Sequence, residues 1–314
     1  MCWKQGQLGD ILLDTMTANL LKSTLQVVRA GCNWLRGGQL YRSLAARGEA
    51  PIPILFYHRV AADALTPLTI TPQRFARHIR FLRKRFQVID LAQAQQHLRQ
   101  RTSNQRFAAI TFDDGYADNN AFALPLLVEH QLPCTYFVSI DNVNQQIPFP
   151  HDLEMGFQFA PNSIDDLRRW SAAGIEIGLH TRTHFDFSKP HDQQTIDSEI
   201  ISAAAELTEW LGKPPRFFAF PYGLVDQISP HVVAALKQLG MLGYCSAYGA
   251  YNLPTDDLFH IRRVHGDHEM ARFWNWMMLD PEKLRKQQRE SERIGVSGSM
   301  PAALAPQVCS TPGQ

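Results

Sequence analysis

The stretch AAITFDDGYADN, residues 108–119, runs a short apolar segment straight into two adjacent carboxylates and a glycine. A continuous apolar run of this length, bounded by turn residues, is the pattern of a strand buried on both faces. Ending it on Asp113 beside Asp114 is costly, because like charges in contact disfavour each other's ionisation. A strand-to-helix turn accounts for one aspartate as a helix cap. A bound cation accounts for both, provided the rest of the chain supplies its other ligands.

Working outward, the same unit recurs. IPILFYH (52–58) reads as a buried strand. Thr71 then caps a helix that has Pro72 at its first position and Phe75, Ile79, Leu82 and Phe86 on one face. After RFAAITF come a helix over 118–130, the strand PCTYFVSI, the helix SIDDLRRWSAAG and the strand IEIGLH. A helix over 193–211 follows, stopped by Gly212, then the strand RFFAF, the helix SPHVVAALKQLG, the last strands LGYCSA and FHIRRV, and a final helix HEMARFWNWMML. Repeated strand–helix units imply a parallel sheet with helices outside, and seven or so of them point to an α/β barrel. Residues 141–162 interrupt the rhythm with an irregular insertion at a strand's carboxyl end, the place for a lid or rim. Residues 1–50 read as an N-terminal helical extension, 51–284 as the barrel, and 285–314, polar and then rich in Ser, Pro, Ala and Gly, as a disordered tail.

The bulk numbers narrow the function. A formal charge of +1 on 314 residues gives no reason to expect nucleic acid. Five scattered cysteines argue against both a disulfide framework and a cysteine zinc site. No secretory pattern opens the chain, and no run approaches the roughly 18 apolar residues that span a bilayer. The expectation is a cytoplasmic protein without an obligate protein partner. Its basic amphipathic segment 11–38 would suit peripheral membrane association, or simply pack on the barrel.

In such folds chemistry collects at the carboxyl ends of the strands. Asp113 and Asp114 stand there after FAAITF; His180 and His184, in HTRTH, follow IEIGLH; PYG follows RFFAF; His58 ends the first strand and His265 the last. His180 and His184, on one helical turn or bracketing a tight loop, can reach one point. Two neutral imidazoles and a carboxylate make a mononuclear site with open positions, as a catalytic zinc requires. One aspartate would then bind the metal, while the cation keeps its neighbour ionised as a general base.

TFDDG, HTRTH and FPYG, in this order and spacing, resemble the NodB-type polysaccharide deacetylases of carbohydrate esterase family 4, over roughly residues 51–280. The resemblance implies a distorted (β/α)7–8 barrel, a divalent metal, usually Zn2+, and hydrolysis of an N-acetyl group on an amino sugar of a polysaccharide, oligosaccharide or glycolipid. By position, Asp113 matches the catalytic base, Asp114, His180 and His184 match the metal ligands, and the backbone N–H of Tyr222 matches the oxyanion donor. The chain departs from the pattern at Ala219, where the family commonly has an arginine that orients the base. The closing Leu-x-His that supplies the general acid is also unclear: His58, in FYHRV, is the preferred acid and His265 the alternative. Tyr116, Phe149, Phe185 and Tyr222 could stack on sugar rings, or serve as ordinary core. Rival readings are a deformylase or other amide hydrolase acting on a lipid-linked sugar or small molecule, and a catalytically silent glycan-binding barrel.

Overall fold

The computed structural model describes residues 36–293. Its strands are β1 (Ile52–Tyr57), β2 (Arg59–Val60), β3 (Thr69–Ile70), β4 (Gln87–Val88), β5 (Phe107–Phe112), β6 (Thr135–Val138), β7 (Glu176–Leu179), β8 (Phe217–Ala219), β9 (Gly243–Cys245), β10 (Tyr251–Asn252), β11 (His260–Ile261) and β12 (Val264–His265). The main sheet runs β1-β5-β6-β7-β8-β9-β11, every neighbour parallel. Only Arg262 and Arg263 separate β11 from β12, and β12 pairs in parallel with β1 through Leu55↔Val264 and Phe56↔His265. One kinked stretch thus pairs with β9 at its start and β1 at its end, which all but closes the ring into the barrel anticipated from the strand–helix repeats. At the opposite end, β10 joins β1 antiparallel and β4 joins β5.

The twofold alternation of strand side chains sorts residues into two cores. On β5, Ala108, Ile110 and Phe112 face outward and pack with helix residues such as Phe75, Leu82, Leu124 and Leu127. Phe107 and Ala109 face into the barrel with Ile54, Phe137, Phe217, Ala219 and Cys245. The same parity carries Thr111 and then Asp113 to the barrel's inner side, at its mouth. Ala109, Ala219 and Cys245 are small, and this leaves room inside for a large polar side chain.

Local sequence sets most helix ends. Thr71 caps Pro72–Arg85 through its side chain, and Ser163 closes a capping box on Ile164–Ala172. Asp90 and Gln93 make another capping box, opening the helix Leu91–Gln100, which periodicity alone had not marked. The expected helix over 118–130 is instead a 3-10 turn, Ala117–Asn120, followed by Ala123–Glu129. The helix Pro281–Arg293 runs past the boundary expected at residue 284, and Gln287 is buried against Ala250 and Tyr251, bonding both backbones. Of the N-terminal extension, residues 36–45 form a helix whose Tyr41 and Leu44 join the outer core. Almost all of the amphipathic segment 11–38 lies outside the described residues. Among those described, no helix is long and apolar enough to cross a membrane.

Candidate active site

A cavity of about 640 Å³ opens at the carboxyl ends of the strands, and His58, Asp113, Asp114, His180, His184, Tyr222 and His265 all line it. The fold therefore brings every site residue marked in the sequence to one place.

The DDG turn is built for this. The Asp113 N–H donates to the Tyr57 carbonyl (2.9 Å), so Asp113 still belongs to the sheet. Asp114 has φ 69°, a left-handed conformation that turns its side chain away from its neighbour's direction. At Gly115, with φ 79°, a Cβ would sit 2.9 Å from Val138 Cγ1, so no larger residue fits. The two histidines do not share a helical turn. They bracket a loop in which Thr181 (φ 65°) and His184 (φ 58°) are left-handed, and Tyr222 (φ 60°) repeats the feature after β8. Each such residue costs on the order of 1–3 kcal/mol, and strain of this kind concentrates at functional sites.

The histidine Nε2 atoms each lie 3.3 Å from one oxygen, Asp114 Oδ1, and the three donor atoms fall within 4.8 Å of one another. His180 Nδ1 is 2.7 Å from the Ala219 carbonyl. A carbonyl can only accept, so Nδ1 carries the hydrogen, and a neutral His180 points its Nε2 lone pair at a carboxylate. Asp114 Oδ1 is buried and has no hydrogen-bond partner. Lone pairs facing one another in a buried pocket call for a cation between them, and this donor set fits a divalent one. The shifts of the titrating groups report the same crowding. Burial opposes the charge on Asp114, but the His180 and His184 rings hold its carboxyl well below the usual range. Burial lowers His180, yet Asp114 and Asp113 outweigh it and raise the ring. His184 is lowered, with burial the leading cause.

Asp113 is held differently. The Arg263 guanidinium grips both its oxygens, at 2.6 and 2.8 Å, and also donates to the Ser246 carbonyl (2.9 Å) and Thr111 Oγ1 (3.2 Å). Its flat faces meet Phe56 and Phe137. Arg263 is the large polar side chain for which the small inner residues leave space, and it orients Asp113 in a chain that has Ala219 where the resemblance led us to look for an arginine. Burial pushes the Asp113 carboxyl up, but Arg263, joined by the His180 and His58 rings, more than offsets this and the net direction is down. The sequence signal was present in HIRRV: two adjacent arginines in a strand between buried apolar residues.

A second residue the sequence reading missed is His151, carried by the short helix Pro150–Glu154 in the insertion. Its Nε2 lies 3.0 Å from Tyr116 Oη and 3.8 Å from Asp114 Oδ2. Tyr116 also donates to Asp152 Oδ2 at 2.7 Å. Tyr116 and Phe149 are fully buried beneath the site, so they are not platforms for a sugar ring. Phe185 packs on the outer core, and of the four aromatics singled out only Tyr222 is exposed.

His58 and His265 sit side by side, ring centres 6.4 Å apart. Burial lowers both. Asp114 and Asp113 pull His58 back up, whereas His265 gains such help from Asp113 alone and falls to about 4.

Residues 100–244 match the family model described as polysaccharide deacetylase. A putative polysaccharide deacetylase, YxkH, of Bacillus subtilis is 27% identical over 182 residues, 57% of this chain and 59% of that protein. A chitin deacetylase of Pestalotiopsis is 30% identical over 136 residues, 43% of this chain and 39% of that protein. The chain spans less than two thirds of the length of these curated relatives. Among solved structures, IcaB from Ammonifex degensii superposes with a TM-score of 0.60 at 22% identity, covering 73% of this chain and 97% of that one. The Streptococcus pyogenes deacetylase PplD, in complex with acetate, gives 0.60 at 18% identity, covering 74% and 99%. The barrel is theirs in fold. The match to the polysaccharide deacetylase model falls on the half of the barrel that holds Asp113, Asp114, His180 and His184.

Proposed function

We propose that the protein is a zinc-dependent hydrolase that removes the N-acetyl group from an amino sugar in a glycan or glycolipid. The observation that carries this reading is the pair of neighbouring aspartates held in opposite ways: Asp114 faces two imidazole nitrogens, and Asp113 is clamped by Arg263 with its face to the cavity. A pure glycan binder has no use for a base kept ionised and aimed beside a metal site. Two imidazoles and one carboxylate suit zinc among the divalent ions.

A divalent ion held by Asp114, His180 and His184 supplies Lewis acidity toward the amide carbonyl. Asp113, ionised at neutral pH, takes a proton from the attacking water, whose oxygen bonds to the carbonyl carbon. Arg263 fixes the direction of that transfer. The Tyr222 N–H is the donor assigned to the oxyanion of the tetrahedral intermediate. The C–N bond then breaks as the nitrogen takes a proton from His58, leaving a free amine and acetate. His58 is taken as the acid because it directly follows β1 in the cavity wall, beside the Asp113–Asp114 turn.

The test is acetate release from N-acetylated chitooligosaccharides, with metal content measured on the same sample. Chelation should abolish release and zinc should restore it. Release that survives complete removal of metal would overturn the reading.

A further inference from the structure

The cavity over the metal site has two kinds of wall. Of its polar lining residues, His58, Asp113, Asp114, His151, His180, His184, Arg263 and His265 all belong to, or touch, the reacting centre, and the remaining one is Glu154. The rest of the lining is apolar: Phe56, Pro67, Leu68, Met155, Phe220, Tyr222, Leu224 and Ala247. The apolar surface continues outward. Ten large apolar side chains are exposed among the described residues; Met155, Tyr222 and Leu224 line this cavity, and Leu65, Leu153 and Val225 lie within three residues of a lining residue along the chain. Leu224 is 55% exposed and Leu65 65%. Isolated surface leucines need no explanation, but a concentration at the rim of one cavity marks a binding surface.

A polymer of sugars presents hydroxyl groups along its whole length. Laid across Leu68, Met155 and Leu224, those hydroxyls would lose water and find only Glu154 and the Tyr222 hydroxyl to replace it, since the other polar groups of the cavity belong to the reacting centre. A hydrocarbon gains from the same contact. We infer that the substrate is an amphiphile: an N-acylated amino sugar joined to a hydrocarbon chain, with the sugar over Asp114 and the hydrocarbon against the wall formed by Leu68, Met155 and Leu224. The inference rests on the deacetylase reading above and narrows its substrate class to glycolipids. The insertion then has a defined task, since it contributes Met155 to the apolar wall and His151 to the polar floor.

The test compares three substrates on the full-length, zinc-loaded protein: the methyl and octyl glycosides of N-acetylglucosamine, the latter below its micelle concentration, and N-acetylated chitotetraose. The octyl glycoside should be deacetylated with kcat/KM at least tenfold above both others. In Leu224→Asn and Met155→Gln the octyl-to-methyl ratio should fall toward one. Equal values for the octyl and methyl compounds, or a preference for chitotetraose, would overturn the proposal; a rim that serves another protein surface or the chain's own termini gives that result. Calorimetric binding of the octyl and methyl glycosides to Asp113→Asn separates the two readings. Tighter octyl binding that is lost in the Leu224→Asn double variant, without acetate release from any compound by the parent protein, would sink the deacetylase reading and leave the amphiphile site standing. Indifferent binding would sink the amphiphile site alone.

Discussion

Asp113 and Asp114 are neighbours in the chain, yet the two halves of the site they head are balanced in opposite ways. Asp113 meets a full positive charge supplied by the protein, a guanidinium that makes four hydrogen bonds and whose faces lie against two aromatic rings. Asp114 meets two imidazoles 3.3 Å from a single oxygen, one of them fixed by the Ala219 carbonyl so that its free nitrogen carries a lone pair. The Asp113 half is complete as folded. The Asp114 half is arranged for a charge from outside. Burying two carboxylates side by side is affordable only because each has its own counter-charge, one internal and one acquired.

The largest effects should come from breaking each half separately. Asp114→Ala should abolish both metal binding and turnover. Asp113→Asn should keep the metal, measured by elemental analysis, while turnover falls about 10²–10⁴-fold, the usual contribution of a positioned base. If Asp113→Asn lost its metal as well, the two halves would not be independent and the assignment of the base would fail. His58→Ala should cost turnover on the same scale with metal retained, and His265→Ala much less; the reverse order would transfer the acid role to His265.

A smaller effect sharpens the comparison from the other side. Arg263→Gln removes the charge that holds the Asp113 carboxyl down, so the base will protonate at higher pH. The acid limb of the kcat/KM profile should move up in pH, and Arg263→Lys should leave it nearer the parent position. Because the variant leaves a buried carboxylate without its partner, it should also lose about 3–5 kcal/mol of stability in denaturant unfolding at neutral pH. An acid limb that stays in place would show that Arg263 supports the fold and not the base.

How much of this could be read before the structure follows from distance along the chain. The metal half was legible because its signals are local: a carboxylate pair at the end of one strand, and histidines four residues apart at the end of another. The barrel was legible because its strands announce themselves as apolar runs with helices between. Arg263 was not, since it reaches Asp113 across 150 residues, and its strand is split into two pairs of residues too short to show a period. Its only trace was negative, the alanine at 219. His151 sits in an insertion without periodicity, where geometry is set by Tyr116 and Asp152 and not by local propensity. The left-handed residues Thr181, His184 and Tyr222 were likewise silent, because nothing in a threonine or tyrosine foretells a conformation it ordinarily avoids. The helix Pro281–Arg293, which crosses the boundary read at 284, was silent for a related reason: it is polar by composition, and Gln287 ties it to the backbone of residues 250 and 251.

The smallest effect concerns histidines that balance no carboxylate at all. His78 lies in the outer core, stacked on Phe273 at 3.7 Å with Tyr57 Oη 3.1 Å from its Nδ1, and burial pushes it down to about 3. His260, inside the fold beside Ser246, is also pushed to about 3 by burial. Both rings are neutral when folded and take up a proton when unfolded, where the ordinary value is 6.5. The unfolded state therefore binds more protons between those limits. Stability should be full above about pH 6.5 and should fall as pH drops toward 3, each ring contributing up to roughly 1.4 kcal/mol per pH unit. His78→Gln keeps an acceptor for Tyr57 and removes the titration. Urea unfolding of the parent and the variant between pH 7 and pH 5 should show a shallower loss in the variant. An identical slope would mean that His78 takes up its proton without unfolding, and that the outer core yields where the site does not.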